Sequence, residues 1–319
     1  MFPIIHFFGF HIPTFSFCIF IGIVAFLIYF KIVFDKKEKF DHYTTNRMFL
    51  ISIIGMVILY VCAFLFNSLF HSIEKGKIVF GGITWLGGIF GTIPCLLFLI
   101  HKFVPKAKGR ELEFVSLIVP GIILAHGFGR LGCFFGGCCF GGVTDSVFGV
   151  VFPEHSAAAK LYPSPTGGSL PVYPTQLFEA AFEFLLFIVL TIFYKKTKTK
   201  NLEIYLIIYS IFRFAIEFLR GDDRGELLFI ISPTQFLCIV CIIAAVLIIL
   251  FKRKLIFNNL YSQCLIWQEE AKHVKHKDLK IFMGERNFSK IEKLHELYKK
   301  GVISEEEYKQ KKEELLNRI

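Results

Sequence analysis

Three short stretches carry the residues able to do chemistry. The first runs His126-Gly127-Phe128-Gly129-Arg130-Leu131-Gly132-Cys133 and closes at Gly141. Arg130 stands at the end of an apolar run from Phe114 to Leu124. Inserting an arginine into hydrocarbon costs about 2.5–3.5 kcal/mol, so such residues mark functional sites. The bare backbone at Gly129, Gly132 and Gly141 lets a ligand approach closely. The chemistry expected is capture of an anion, and the commonest anion in a membrane is a lipid phosphate.

The second stretch is Tyr209-x3-Arg213-x3-Glu217-x2-Arg220, with apolar residues between. That spacing puts all four on one helical face. A charged stripe of this kind must face a bundle interior or a wet cavity. The third is Gln176 with Glu179, one turn apart, followed by Glu183 a further turn on. A buried carboxylate there needs a cation, and Arg130 or Arg213 can supply it. Two arginine-bearing helices opening to the same membrane side point to an anion site.

These stretches must sit on membrane helices. The chain has 319 residues, 54% hydrophobic, with 40 phenylalanines. That composition exceeds a soluble domain and fits a polytopic protein. Seven spans are expected, at about Phe15–Phe34, Met48–Phe70, Ile83–Phe103, Phe114–Cys133, Gln176–Tyr194, Glu203–Arg220 and Ile231–Phe251. The connections after spans 1, 3, 5 and 7 are rich in lysine and arginine, whereas the one after span 4 has only Lys160. The positive-inside rule then puts the N-terminus outside and the C-terminus in the cytoplasm. The net charge of +10 reflects that topology and a basic tail, so nucleic acid is not an expected partner. No cleavable signal peptide is expected, because the N-terminus lacks a basic region.

Other features divide between packing and function. Gly87 and Gly88 open a small-residue run with Gly91, read either as a tight helix contact or as a cavity wall facing Arg130. Asn67 reads as an interhelical bond. Thr175 and Ser232 are expected helix caps. Residues Gly141 to Pro171 read as an extended outer loop. Asp222, Asp223 and Arg224 follow the second charged stretch at the outer surface. Of nine cysteines, Cys133, Cys138 and Cys139 cluster. Their C-x4-C-C spacing matches no common zinc pattern, and packing is the expected role.

Three regions result: a transmembrane domain over 1–251, a linker over 252–287 and a helical hairpin over 288–319. The hairpin has an apolar stripe at Ile291, Leu294, Leu297 and Tyr298, a Gly301 C-cap and a Ser304/Glu307 capping box. Some 30 residues bury little core alone, so docking or self-association is expected. The fold class expected is all-α, a seven-helix membrane protein plus a small cytoplasmic hairpin.

The Gly-Arg-Leu-Gly-x-Phe block at Arg130, the Pro-Thr-Gln-Leu-Phe-Glu block at Glu179 and Tyr-x3-Arg-Phe-x2-Glu-Phe-x-Arg at Arg213 resemble bacterial prolipoprotein diacylglyceryl transferases. The resemblance covers about residues 1–251. It implies transfer of diacylglyceryl from phosphatidylglycerol to a preprolipoprotein's lipobox cysteine in the bacterial cell membrane. It implies no metal or organic cofactor. By position Arg130 matches the family's signature arginine and Arg213 its essential arginine. Tyr209 and Glu217 match their neighbours, and Gly141 the closing glycine. Four positions depart: Cys133 for asparagine, Cys138 for an acid, Leu86 for the histidine of His-Gly-Gly, and Phe15 for a tyrosine. The reaction so implied builds negative charge on a leaving oxygen, which two fixed guanidinium groups stabilise. His126 is a candidate replacement base, beside Glu217 and Glu179. The tail resembles a short C-terminal hairpin module. Two alternatives stand beside the transferase: a divergent enzyme with another acceptor, and a non-catalytic protein that binds anionic lipid.

Overall fold

The computed structural model describes the chain apart from residues 1–3, 8–9, 79, 81, 222–230, 274–284 and 317–319. Side chains are likewise not described at 5–10, 74–75, 254–273, 285–289 and 315–316. The Asp222-Asp223-Arg224 cluster therefore lies outside the described residues, as does part of the expected linker.

Contacts divide the chain into two units, Met1–Ile249 and Leu250–Ile319. The first opens with an unexpected antiparallel strand pair, β1 (Ile4–Phe7) and β2 (Phe10–Pro13), with His6 opposite His11. The bundle follows: α1 (Thr14–Lys31), α2 (His42–Lys75), α3 (Trp85–Phe103) and α4 (Glu111–Gly136). A short α5 (Ala157–Leu161) precedes α6 (Thr175–Ile192), α7 (Tyr194–Thr197), α8 (Asn201–Glu217) and α9 (Pro233–His273). Among the described residues, six helices are long and apolar enough to cross a membrane: those beginning at Thr14, His42, Trp85, Glu111, Thr175 and Pro233. The sixth expected span is α8. It has 17 residues, among them Glu203, Arg213 and Glu217, so it falls short of those limits. Helix α9 runs through the first part of the expected linker to His273, because no glycine or proline interrupts it.

Helix α4 lies at the centre. Every residue from Phe114 to Gly121 is buried, so the helix is enclosed on all sides. It packs chiefly against α1 and α6, while α2 and α3 pair. Outer helices instead present large apolar side chains such as Ile28, Val57, Leu185 and Leu247, as lipid-facing surfaces do. Lipid tails are as apolar as leucine, so close packing and polar contacts must join the helices. The α2–α3 contact shows this. A Cβ on Gly88 would lie 2.8 Å from the Leu59 carbonyl, and one on Gly87 2.6 Å from Phe66 Cβ. Thr84 also donates to Asn67 Oδ1 at 2.7 Å.

The segment after α4 is more ordered than an extended loop. Phe140, Phe152, Ala158 and Val172 form a small core of their own. Backbone bridges join Gly141 to Arg220 and Val172 to both Val143 and Val150.

The second unit contains α10 (Glu285–Lys299) and α11 (Glu305–Leu316). Gly301 takes φ +69°, and its amide donates to Tyr298 at 2.9 Å. The Glu307 amide donates to Ser304 Oγ at 3.2 Å, and the Ser304 amide to Glu307 Oε2 at 2.9 Å, which is the expected capping box. Those bonds hold the Glu307 carboxyl below its ordinary range. Tyr298 stacks on Tyr308 with ring centroids 4.9 Å apart.

Candidate active site

The three chemical stretches meet at one place because they lie on three packed helices. Arg130 is in the last two turns of α4, Glu179 in the second turn of α6, and Tyr209 and Arg213 on the inner face of α8. Glu179 is 1% exposed and Arg213 4%. Ionised groups buried this far need partners, and Glu179 is the hub. Arg130 Nη2 donates to Glu179 Oε2. The Tyr209 hydroxyl donates to Oε1 at 2.8 Å, and Arg213 Nε lies 3.8 Å from the same oxygen. Arg213 Nη1 pairs with Glu217 Oε2 at 2.7 Å, and Ser232 donates to Glu217 Oε1 at 2.8 Å. Arg130 Nε is buried and has no hydrogen-bond partner among the described residues. A buried donor left open in this way is a place for an incoming acceptor.

His126, one turn before Arg130, is also buried. Its Nδ1 lies 2.7 Å from Glu183 Oε1. The Trp85 indole stacks on its ring at 3.9 Å between centroids. Trp85 Nε1 donates to the Tyr205 hydroxyl at 2.8 Å, and Tyr205 stacks on Tyr209. An imidazole fixed between a carboxylate and an aromatic plane has one nitrogen engaged and one left for proton transfer.

These groups line the polar end of a cavity of about 450 Å³. Its walls include Arg130, Arg213, Glu179, Tyr209, His126 and Gly129. No side chain or backbone would meet a Cβ on Gly129, so the wall there opens on free space. The remainder is apolar and runs between α1, α2, α3 and α4, past Phe26, Met56 and Leu96. Ile19, Ile23 and Ile83 line it and are exposed, so it opens on the apolar flank of the bundle. A charged end joined to an apolar slot suits an anionic amphiphile.

The other expected site residues lie around the cavity rather than in its wall. Glu217 holds Arg213, as above. Gln176 donates to the Cys138 carbonyl at 2.7 Å, and Arg220 to the Cys139 carbonyl at 2.9 Å. Thr175 does not cap α6; its hydroxyl donates to the Cys139 carbonyl at 2.8 Å. Ser232 does cap α9, accepting from the Gln235 amide at 3.1 Å. Gly132 packs against Phe15 and Cys18 of α1, and Gly141 against Leu219 and Tyr173. Gly87 and Gly88 face α2, not Arg130. Trp85, Tyr205 and Ser232 join the network without having been singled out as site residues. Glu183 was signalled by its spacing, one turn from Glu179, and the same interval sets Tyr205 one turn before Tyr209.

Membrane-length helices around a charged, amphiphile-shaped cavity define an integral membrane protein that handles lipid. Residues 3–251 match the family model for prolipoprotein diacylglyceryl transferase, and residues 289–316 match one named Short C-terminal domain. A phosphatidylglycerol–prolipoprotein diacylglyceryl transferase 2 from Clostridium perfringens is 34% identical, over 76% of this chain and 91% of that protein. The enzyme of that name, unnumbered, from Clostridium tetani is 29% identical, over 76% and 93%. That from Aeromonas salmonicida is 32% identical, over 57% and 63%. The chain belongs to the prolipoprotein diacylglyceryl transferase family, and it is a membrane transferase of lipoprotein biosynthesis.

Proposed function

We propose that the chain moves the diacylglyceryl group of phosphatidylglycerol onto the lipobox cysteine thiol of a prolipoprotein. The products are a thioether and glycerol 1-phosphate. The observation that carries this reading is the meeting of two guanidinium groups at the charged end of an apolar cavity. The acyl chains occupy the slot between α1 and α3. The phosphate lies against Arg130 and Arg213, and the bare backbone at Gly129 leaves room for it. Guanidinium groups grip phosphate through paired bonds. They gain most from the charge that develops on the leaving oxygen, where one such donor is typically worth about 10²–10³ in rate. Tyr209 and Glu179 fix the guanidinium planes, and Glu217 fixes Arg213.

The nucleophile belongs to the substrate, and thiolate is its reactive form. His126, backed by Glu183, is the base that takes its proton. The chain has Leu86 where the family pattern has its histidine, and this pair takes over that role. Gln176 and Arg220 position the turn that follows α4, and Gly87, Gly88, Gly132 and Gly141 set the helix spacing.

We further infer seven crossings, with α8 as the extra one, an outer N-terminus and a cytoplasmic C-terminus. The lysine-rich connections near residues 36, 106, 196 and 253 support that orientation. The membrane is then the bacterial cell membrane. The hairpin would meet a cytoplasmic partner or a second copy. Leu86, Cys133 and Phe15 favour one second reading, transfer to a different acceptor. The test is the purified protein in phosphatidylglycerol vesicles with a lipobox peptide. Thioether product that disappears in Arg130→Ala supports the first reading. Lipid turnover without peptide product favours the second, and lipid binding without turnover rejects both.

A further inference from the structure

The roles assigned above leave three thiols unused. Cys133 lies at the end of α4, and Cys138 and Cys139 follow it. Their sulfur atoms all lie within 4.8 Å of one another. The local backbone brings them together. Gly137 takes φ +69°, its amide returns to the Phe134 carbonyl at 3.2 Å, and the Cys138 amide returns to Cys133 at 3.1 Å. This is a Schellman turn, which folds the chain back over the helix end. Cys139 then takes φ +63°, a left-handed conformation that a side-chain-bearing residue rarely adopts. Thr175, Gln176 and Arg220 hold the carbonyls of this turn in place. Cys133 and Cys139 line the same cavity as Arg130 and His126.

We propose that Cys133, Cys138 and Cys139 bind a thiophilic divalent cation, zinc above all, which holds the acceptor thiol as a thiolate during transfer. The proposal rests on the reaction assigned above, and it replaces the expectation that this chain works without a metal. Zinc–thiolate bonds of about 2.3 Å put tetrahedral sulfur neighbours about 3.8 Å apart. The three thiols therefore need to close by no more than about 1 Å. Three protein ligands with a fourth position open is the pattern of catalytic zinc, whereas structural zinc is closed by four. The spacing in sequence hides the site because the reversal at Gly137, not the interval between cysteines, creates it.

The chemistry meets a need of this particular chain. The reaction alkylates a thiol, and a metal-coordinated thiol is deprotonated outright. Cys133 and Cys138 stand where the family pattern has an asparagine and an acid, and Leu86 where it has a histidine. The step balances without a redox partner. The acceptor thiol displaces water from the fourth position and gives its proton to His126. A sulfur lone pair forms the C–S bond at the terminal glycerol carbon of the diacylglyceryl group. The C–O bond there breaks, and its electron pair leaves on glycerol 1-phosphate, which later takes the proton from His126. The cation keeps its charge throughout.

The test uses the full-length protein, metal-stripped and then loaded with Zn²⁺ or Co²⁺. One cation per chain is expected, with sulfur-to-cobalt charge-transfer absorption that is lost in Cys138→Ser. Cys138→His keeps a zinc ligand and retains the metal, which a role in folding alone would not require. Transfer should fall by about 10²-fold or more on chelation and return with Zn²⁺ in the native chain but not in Cys138→Ser. Cys95→Ser, at an exposed thiol, should behave as the native chain. Full transfer by the stripped protein overturns the proposal. So does the absence of cobalt–thiolate absorption, which is read without turnover. Cobalt bound to a chain that never transfers counts against the assigned reaction and leaves the site standing.

Discussion

Arg130 of α4 and Arg213 of α8 share one counterion, Glu179 of α6. Two like charges on different helices are held together by a carboxylate that is 1% exposed. In Glu179→Gln the amide still accepts from Tyr209, but Arg130 loses its ion-pair partner. Breaking a buried pair from one side costs about 3–5 kcal/mol. Thermal unfolding in detergent should show a lowered midpoint, and an unchanged midpoint would show that the pair is not the junction between α4, α6 and α8.

Arg213→Lys separates charge from geometry. Lysine keeps the positive charge but offers a point donor in place of a planar fork. It gives up both the approach to Glu179 and the Glu217 pair at 2.7 Å. Transfer should fall by about 10²–10³-fold, close to the loss for a removed oxyanion donor. Lipid binding to vesicles should change far less, because the interaction is strongest in the transition state. Equal losses in binding and rate would make Arg213 a docking residue.

Glu183 lies 2.7 Å from His126, and the proposed reading has it act through that ring. Glu183→Gln and His126→Gln should each lower kcat by about 10²-fold or more, with the double variant little worse than either. In both, the lost rate should return as pH rises, since more of the acceptor thiol is then already ionised. A purely structural Glu183 would give no such pH dependence.

Much of this was legible in the residues, and the exceptions have physical causes. The charged face of α8 could be read because turns of 3.6 residues stack Tyr209, Arg213 and Glu217, and no such stripe can face lipid. The hairpin caps could be read because Ser304 and Glu307 are local. The cavity's partners could not, because Trp85 meets His126, and Ser232 meets Glu217, only through tertiary packing. Thr175 and Ser232 open similar motifs, yet only Ser232 caps its helix. The Cys139 carbonyl takes the Thr175 hydroxyl instead. Helix α8 illustrates the limit of hydropathy: Glu203 and Arg213 are buried against neighbouring helices, so their charges lower the apolar character of a helix that the bundle encloses.

Gly88 tests whether the glycine run serves packing or substrate. A Cβ there would lie 2.8 Å from the Leu59 carbonyl and 3.0 Å from Ala63 Cβ, both on α2. Backbone cannot move aside as a flexible side chain does, so Gly88→Ala must push α2 and α3 apart. Overpacking of this kind costs about 1–3 kcal/mol, and the unfolding midpoint in detergent should fall accordingly. The KM for phosphatidylglycerol measured on the folded fraction should rise only modestly, through Leu59 and Ala63, which the Cβ meets and which line the cavity, whereas Gly88 itself does not. A glycine that walled the lipid site would give the reverse, a strongly raised KM at unchanged stability.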